Sequence, residues 1–443
     1  MRPLDGRYHQ KLSSPYEAVR TVKSGDKVVL ANLCAEPHVL PGQLMNRAQE
    51  LHGVRLFHLR PFGQFIDCYL EPGMEEHVKC ATAFAGGVQQ IVRLIRDGRA
   101  DFYPIPLSKI PWLFRTGPFR PDVFMTTVSP PDRQGYCSLG VSVDYARAAL
   151  DVAKTVIAEV NDNMPRTCGD SLVHISEMDH LVEASEPIYE MPRTDVTSLE
   201  RRLAENVASL VEDGATIQIG YGAVSESITP FLSEKRELGM HTEMFPESAM
   251  TLVQQGVLTC ERKSTDKGKV VCSFAAGTRK LYDWLNNNQK VDMRTLDYTN
   301  DSRVIAMSHK MTAINTALQV DLYGNIYSDM LGFDQYSGAG GQPDFLLGAM
   351  LSHGGKSIIV LPSTACGGRT SRIVACPALA GNPKAPSIPT VTRFHADYVV
   401  TECGIASLRD KTTRERARVL IEIAHPNFKQ ALQEGARKIG LMT

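Results

Sequence analysis

No run in this chain of 443 residues approaches 18 consecutive apolar positions, which excludes a membrane-spanning helix. Its ten cysteines include no C-x-x-C pair, so neither a zinc ribbon nor a thioredoxin-like redox site is written into it. The expectation is free, mostly buried thiols in a reducing cytoplasm. The twelve histidines show no H-E-x-x-H or comparable ligand spacing, and no metal is expected. Lysine and arginine total 48 against 49 acids, a formal net charge of -1, so the basic excess of a nucleic-acid binder is missing. The opening residues Met-Arg-Pro-Leu-Asp-Gly-Arg-Tyr-His-Gln lack the apolar stretch of a secretory signal. What is present, 43% hydrophobic and 22% charged residues, is the composition of a soluble globular protein.

The length exceeds one ordinary core and predicts two domains. Lys154-Thr-Val-Ile-Ala-Glu-Val160 and Lys356-Ser-Ile-Ile-Val-Leu-Pro362 are short, continuous apolar runs, the signature of strands covered on both faces. Helical patterns lie between such runs, for example Ser198 to Val211, with Ser198 as the expected cap. Strands alternating with helices predict an α/β protein with a largely parallel sheet in each half and helices on both faces. The polar, proline-bearing stretch Glu183 to Asp195 carries no period and marks the boundary, giving domains at 1–187 and 188–443.

The two halves echo one another. Ser24 to His38 parallels Glu212 to Glu226, Val78 to Gly86 parallels Val270 to Gly277, and Val128 to Tyr136, with Asp132 and Gly135, parallels Val320 to Ile326. Collinear matches at nearly constant spacing predict a duplicated α/β unit.

Only the second copy combines a glycine turn, a carboxylate and a glycine-rich loop. The strand Ala215 to Ile219 runs into Gly220-Tyr-Gly-Ala-Val224 and a helix start, where backbone N–H groups and the helix dipole favour a phosphate or an oxyanion. Glu243 follows an apolar strand and lies 23 residues past Gly220, at the carboxyl end where α/β sheets bind ligands. Such a carboxylate can itself be a nucleophile. It also stands where a Rossmann unit places its ribose-binding acid, so a nicotinamide-dependent oxidoreductase is the rival reading, although the third glycine position is Ser225. The segment Tyr336-Ser-Gly-Ala-Gly-Gly-Gln-Pro-Asp-Phe345 is the densest feature. Its glycines Gly338 to Gly341 allow close approach of backbone to a ligand, Asp344 reads as a helix cap, and Lys356 at the next strand is a natural point charge for a phosphate or carboxylate.

Together these residues resemble the class I coenzyme A transferases of the acetyl-CoA hydrolase/transferase family, which includes 4-hydroxybutyrate CoA-transferase. The motifs that carry the resemblance are Val128 to Gly140, Gln218-Ile-Gly-Tyr-Gly222, His241-Thr-Glu-Met244, Ser337 to Phe345, Pro362-Ser-Thr364, Ser371-Arg-Ile373, Val399 to Ala406 and Ile423 to Phe428. The resemblance implies two tandem CoA-transferase domains and Glu243 as the glutamate that becomes a glutamyl-CoA thioester. It further implies Gln218 as an active-site amide, and Gly220, Tyr221, Gly222, Ala223 and Val224 as the CoA-contacting turn. Gly341 and Lys356 would be the second CoA-contacting region, with oxyanions held near Tyr221 and Gly338. Coenzyme A would be substrate and covalent intermediate, with no permanently bound cofactor, and the protein a homodimer or tetramer. Acetyl-CoA hydrolysis is the alternative outcome with the same residues.

Phe245-Pro-Glu-Ser248, Ala365-Cys-Gly-Gly-Arg-Thr370 and Cys403 depart from the family pattern. They leave the acid open among acetate, 4-hydroxybutyrate, butyrate, succinate and itaconate. Arg369 is the candidate reader of a second carboxylate, Arg372 a structural residue.

Overall fold

A computed structural model describes residues 6–192, 195–220, 222–377 and 388–443. They form two compact units, one comprising the chain up to Pro192 together with Val271–Thr299, the other Arg193–Val270 with Asn300–Thr443. The second unit is therefore interrupted in sequence, an excursion that no local composition shift announces.

The first unit is built on seven parallel strands: β1 (Lys27–Leu30), β2 (Val54–Phe57), β3 (Val78–Thr82), β4 (Asp101–Phe102), β5 (Val123–Val128), β6 (Thr155–Asn161) and β7 (His180–Ala184). Their order is β7-β6-β5-β1-β2-β3-β4. All six residues of β5 are buried, as an inner strand without polar alternation requires. The second unit carries β8 (Thr216–Ile219), β9 (Gly239–Met240), β10 (Thr312–Thr316), β11 (Lys356–Val360), β12 (Tyr398–Thr401) and β13 (Gly404–Ser407) in the order β9-β8-β10-β11-β12-β13. Only the β12/β13 pair is antiparallel. Helices flank both sheets. The helix predicted from Ser198 runs Ser198–Leu210, and its cap is Thr197, whose hydroxyl accepts from Leu199 N while Glu200 closes the capping box.

Duplication is visible in the topology. The order β2-β1-β5-β6-β7 recurs as β9-β8-β10-β11-β12. Val28 pairs with Val123 and Val123 with Thr155, as Ile217 pairs with Thr312 and Thr312 with Lys356. The turn after β5 repeats as well. Asp132 Oδ1 accepts from the N–H groups of Gln134 (2.9 Å) and Tyr136 (3.0 Å), and Asp321 Oδ1 accepts from Tyr323 (3.0 Å) and Asn325 (2.9 Å). Each turn needs a glycine at positive φ, Gly135 at 86° and Gly324 at 93°. The echo of Val78 to Gly86 in Val270 to Gly277 does not extend this way: β3 belongs to the main sheet, whereas Val271–Thr299 joins the first unit, its strand Val291–Met293 pairing with Cys168–Gly169. All ten cysteines are thiols outside any disulfide; five are buried, and Cys366 and Cys403 are exposed. Among the described residues no helix is long and apolar enough to cross a membrane.

Candidate functional site

The sheet of the second unit gathers the predicted residues at its carboxyl rim. β8 is buried along its length because β9 and β10 flank it, and Gln218 on it accepts a hydrogen bond at Oε1 from Asn315 Nδ2 of β10 (3.0 Å). A buried amide pair of this kind fixes the orientation of both side chains. Beyond β8 the chain turns through Gly220, whose carbonyl accepts from the Ser225 hydroxyl, into a helix. Tyr221 lies outside the described residues. Gly222, with φ 116° and ψ -175°, occupies a region of backbone space essentially reserved for glycine and is the N-cap of the helix Ala223–Leu232. Ala223 and Val224 thus begin that helix, with their N–H groups among the first-turn donors that lack intrahelical partners.

Four helices bear on the site: α1 (Leu40–Asn46), α2 (Ser198–Leu210), α3 (Ala223–Leu232) and α4 (Gln342–Leu351). The duplication shows how differently the two copies treat the helix after their first strand. At the start of α1, the Glu159 carboxylate of β6 accepts from the N–H groups of His38, Val39 and Leu40, each at 2.8 Å. Burial pushes this carboxyl's pKa up, with the three N–H donors acting in opposition. Glu159 lies four positions after Thr155, and the matching position four after Lys356 is Val360, which has no acceptor to offer α3. In the first unit the protein's own carboxylate fills this anion cradle, whereas the second copy carries a valine at the matching strand position.

β9 is only two residues long, so Glu243 stands in the bend after it, three residues beyond Met240. His241 and Thr242 are buried, and the Thr242 hydroxyl donates to Ile219 O (3.3 Å) or Met244 O (3.1 Å), holding the bend on the end of β8. The His241 ring lies 6.3 Å from that of Phe345 in α4. Glu243 is half-buried, and its Oε2 accepts from Asn300 Nδ2 at 2.7 Å. Against the same oxygen lies Gly341, the N-cap of α4: a Cβ there would stand 2.1 Å from Glu243 Oε2 and 2.5 Å from Asn300 Nδ2. The carboxylate therefore rests at the amino end of a helix, where the dipole favours negative charge. Gly338 is buried in the same loop. Gln342, first in α4, donates through Nε2 to Thr316 O (2.8 Å) and anchors the helix on the end of β10. Asp344 is not the cap expected of it; it is the third residue of α4, within the first turn.

Lys356 does not join this group. It opens β11 at the amino end of the sheet, where Nζ donates to Leu210 O (2.8 Å) and to Glu212 Oε1 (2.7 Å), while Lys310 holds the other Glu212 oxygen at 2.6 Å. Its expected charge–phosphate role competes with an ion pair already made. Arg369 is exposed at a hairpin tip with Nε donating to Cys366 O (2.9 Å), and Arg372 donates to Ala317 O (3.3 Å) and Leu318 O (3.4 Å). Two residues escaped the sequence reading. Asn300 precedes an ordinary helix cap, Asp301, and nothing in its neighbourhood distinguishes it. Glu402, at the end of β12, accepts from Ser363 N (2.8 Å) and the Ser363 hydroxyl, which places a second carboxylate on the same rim. Among the described residues no group of three or more His, Cys, Asp or Glu could hold a metal ion.

Known proteins match this chain along nearly its whole length. Residues 2–191 match the acetyl-CoA hydrolase/transferase N-terminal domain and residues 277–436 the C-terminal domain of the same family. A 4-hydroxybutyrate coenzyme A transferase of Clostridium kluyveri is 42% identical over 97% of this chain and 98% of its own. A succinyl-CoA:acetate/propanoyl-CoA:succinate CoA transferase of Fasciola hepatica is 39% identical over 98% of this chain and 89% of its own. The crystal structure of RipA from Yersinia pestis superposes with a TM-score of 0.90 at 35% identity, covering 98% of this chain and 99% of that one. A carboxylate at the rim of a parallel sheet, a glycine helix cap against it and similarity over nearly the whole length converge: this chain belongs to the acetyl-CoA hydrolase/transferase family and is an enzyme of the CoA-transferase type.

Proposed function

We propose that the protein moves coenzyme A between an acyl-CoA and a free carboxylate in a ping-pong cycle, with Glu243 as the nucleophile. A Glu243 oxygen attacks the thioester carbonyl and expels CoA thiolate, leaving an acyl-glutamyl anhydride. The thiolate attacks the glutamyl carbonyl and expels the first acid, leaving a glutamyl-CoA thioester. A second acid reverses these steps. Splitting the exchange in two lets one small site serve both acids in turn.

One observation carries the reading: the Glu243 carboxylate lies against Gly341 at the head of α4 with Asn300 donating to Oε2. Asn300 holds one oxygen, which orients the carboxylate for attack. Backbone N–H groups near Gly338 and in the turn Gly220–Val224 would hold the oxyanions, each donor worth roughly 3 kcal/mol. The first-turn N–H groups of α3, after the glycine cap Gly222, suit a CoA phosphate or pyrophosphate. As to the acids, the named relatives act on 4-hydroxybutyrate and on succinate, acetate and propanoate as their names state, and short acids of this kind are the substrates we assign.

The test is to incubate the enzyme with acetyl-CoA and a panel of carboxylates, following acyl-CoA exchange and free thiol, then to treat the acyl-CoA-loaded enzyme with borohydride. Exchange, and reduction of Glu243 to the alcohol seen by peptide mass, is the expected result. An unchanged mass for that peptide overturns the covalent mechanism, and thiol release without exchange makes the protein a hydrolase instead.

A further inference from the structure

We propose that Thr390, Asp329 and Gln335 form a lock that positions the glycine loop for the chemistry at Glu243, a role that rests on Glu243 being the nucleophile. Asp329 closes the base of a small hairpin in which Met330–Leu331 pairs with Asp334–Gln335. Its main-chain carbonyl accepts from Ser337 N at 2.8 Å, and Ser337 is the residue that begins the glycine loop. Its carboxylate accepts from Gln335 Nε2 (2.9 Å) and, at the other oxygen, from the Thr390 hydroxyl. The same Gln335 nitrogen lies 3.2 Å from Ser337 O, so one amide grips both ends of the hairpin. Thr390 in turn accepts from the N–H groups of Ser328 (2.7 Å) and Asp329 (3.1 Å). On the far side, the Ser328 hydroxyl donates to Gln342 Oε1 (2.8 Å), in the first residue of α4.

These three side chains are half-buried, so their hydrogen bonds are made at the rim rather than in the core. What they hold is the entrance to the only four residues between Ser337 and α4, Gly338 to Gly341. A run of three glycines and one alanine has only a methyl group of its own to define its path, and its conformational freedom must be removed from outside. The end of that run has no slack, since Gly341 leaves less than a methyl group's room beside Glu243 Oε2. A shift of the loop therefore changes the surroundings of the reacting carboxylate. Thr390, Asp329 and Gln335 are positioning residues, acting through the glycine loop.

The experiment measures the single-turnover rate at which saturating acetyl-CoA loads CoA onto Glu243, by rapid quench and peptide mass, alongside KM and the melting temperature. Thr390→Val keeps the shape and removes the hydroxyl that both donates and accepts; Thr390→Ser keeps the hydroxyl. Thr390→Val should slow loading roughly 10- to 100-fold, the penalty of a small misplacement near reacting atoms, with KM and melting temperature little changed. Thr390→Ser should restore the wild-type rate to within about twofold, a split that a purely structural role does not produce. Gln335→Leu, which cuts the grip on Ser337 from the opposite side, should show the same slowing and keeps the proposal open to refutation should Thr390→Val fold poorly. Loading at the wild-type rate in both Thr390→Val and Gln335→Leu overturns the lock, as does a raised KM with unchanged saturated loading. A wild-type enzyme that never loads Glu243 overturns the nucleophile reading first, and the lock with it.

Discussion

The carboxylate of Glu243 occupies the space that a side chain on Gly341 would need, since a Cβ at that position would lie 2.1 Å from Oε2. Gly341 has φ of -89°, a backbone conformation open to any residue, so its glycine identity answers to space and not to chain geometry. Gly341→Ala should therefore fold and still lose activity, with kcat reduced roughly 100-fold as the carboxylate is pushed aside. Circular dichroism with steady-state exchange rates checks both halves. An alanine variant of undiminished kcat would show that Glu243 moves freely before it reacts.

Asn300 Nδ2 donates to Glu243 Oε2 at 2.7 Å. A hydrogen bond to a charged group contributes about 1.5–3 kcal/mol. Asn300→Ala should lower kcat by about 10- to 100-fold, more than it raises KM for acyl-CoA, because the bond orients the attacking group and not the thioester. Equal changes in both constants would move Asn300 from the nucleophile to substrate binding.

Lys356 and Lys310 clamp the Glu212 carboxylate, and hydrogen bonds from Lys310 first and Lys356 second hold its pKa down at about 2 against a reference of 4.5. A depressed carboxylate contributes stability that is present above the unfolded pKa and lost as pH falls through the folded one. The stability difference between wild type and Glu212→Gln should accordingly shrink as pH falls from 4.5 toward about 2. The effect is small because the carboxylate is half-exposed. Lys356→Ala should lower the melting temperature and leave KM for acyl-CoA unchanged. A raised KM would return Lys356 to the CoA site.

Glu36 of the first unit runs the opposite way. It is fully buried, and burial pushes its carboxyl up to about 8 despite N–H donors from Gly63 (2.7 Å) and Phe62 (3.1 Å). A raised carboxyl holds its proton longer in the folded state, so its contribution is complete below 4.5 and disappears as pH rises toward about 8. Glu36→Gln, which cannot ionise, should gain stability relative to wild type across that window. Chemical denaturation at pH 5 and pH 8 measures it, and a difference that stays flat with pH would mean the carboxylate is charged in the fold at both values.

The sequence alone determined the parts of this protein that depend on neighbours in the chain. Apolar runs such as Val123 to Val128 define buried strands, Gly222 defines a turn that no side chain permits, and the glycines of 338–341 define a loop built for close approach. The turns at Asp132 and Asp321 announced duplication because a side chain gripping its own backbone is a local device, copied with the segment. Tertiary structure decided what depends on distant partners. Asn300, 57 positions from Glu243, is ordinary until the fold brings its amide to the carboxylate. Lys356 looked suited to a phosphate until parallel pairing set it beside Thr312, at the rim where Glu212 already waits. Val271–Thr299 left its sequence neighbours because strand Val291–Met293 found its partner at Cys168–Gly169, more than a hundred residues away. A hydrogen bond or strand pair between remote residues leaves no period and no spacing in the sequence, since only chain folding sets the distance at which it forms.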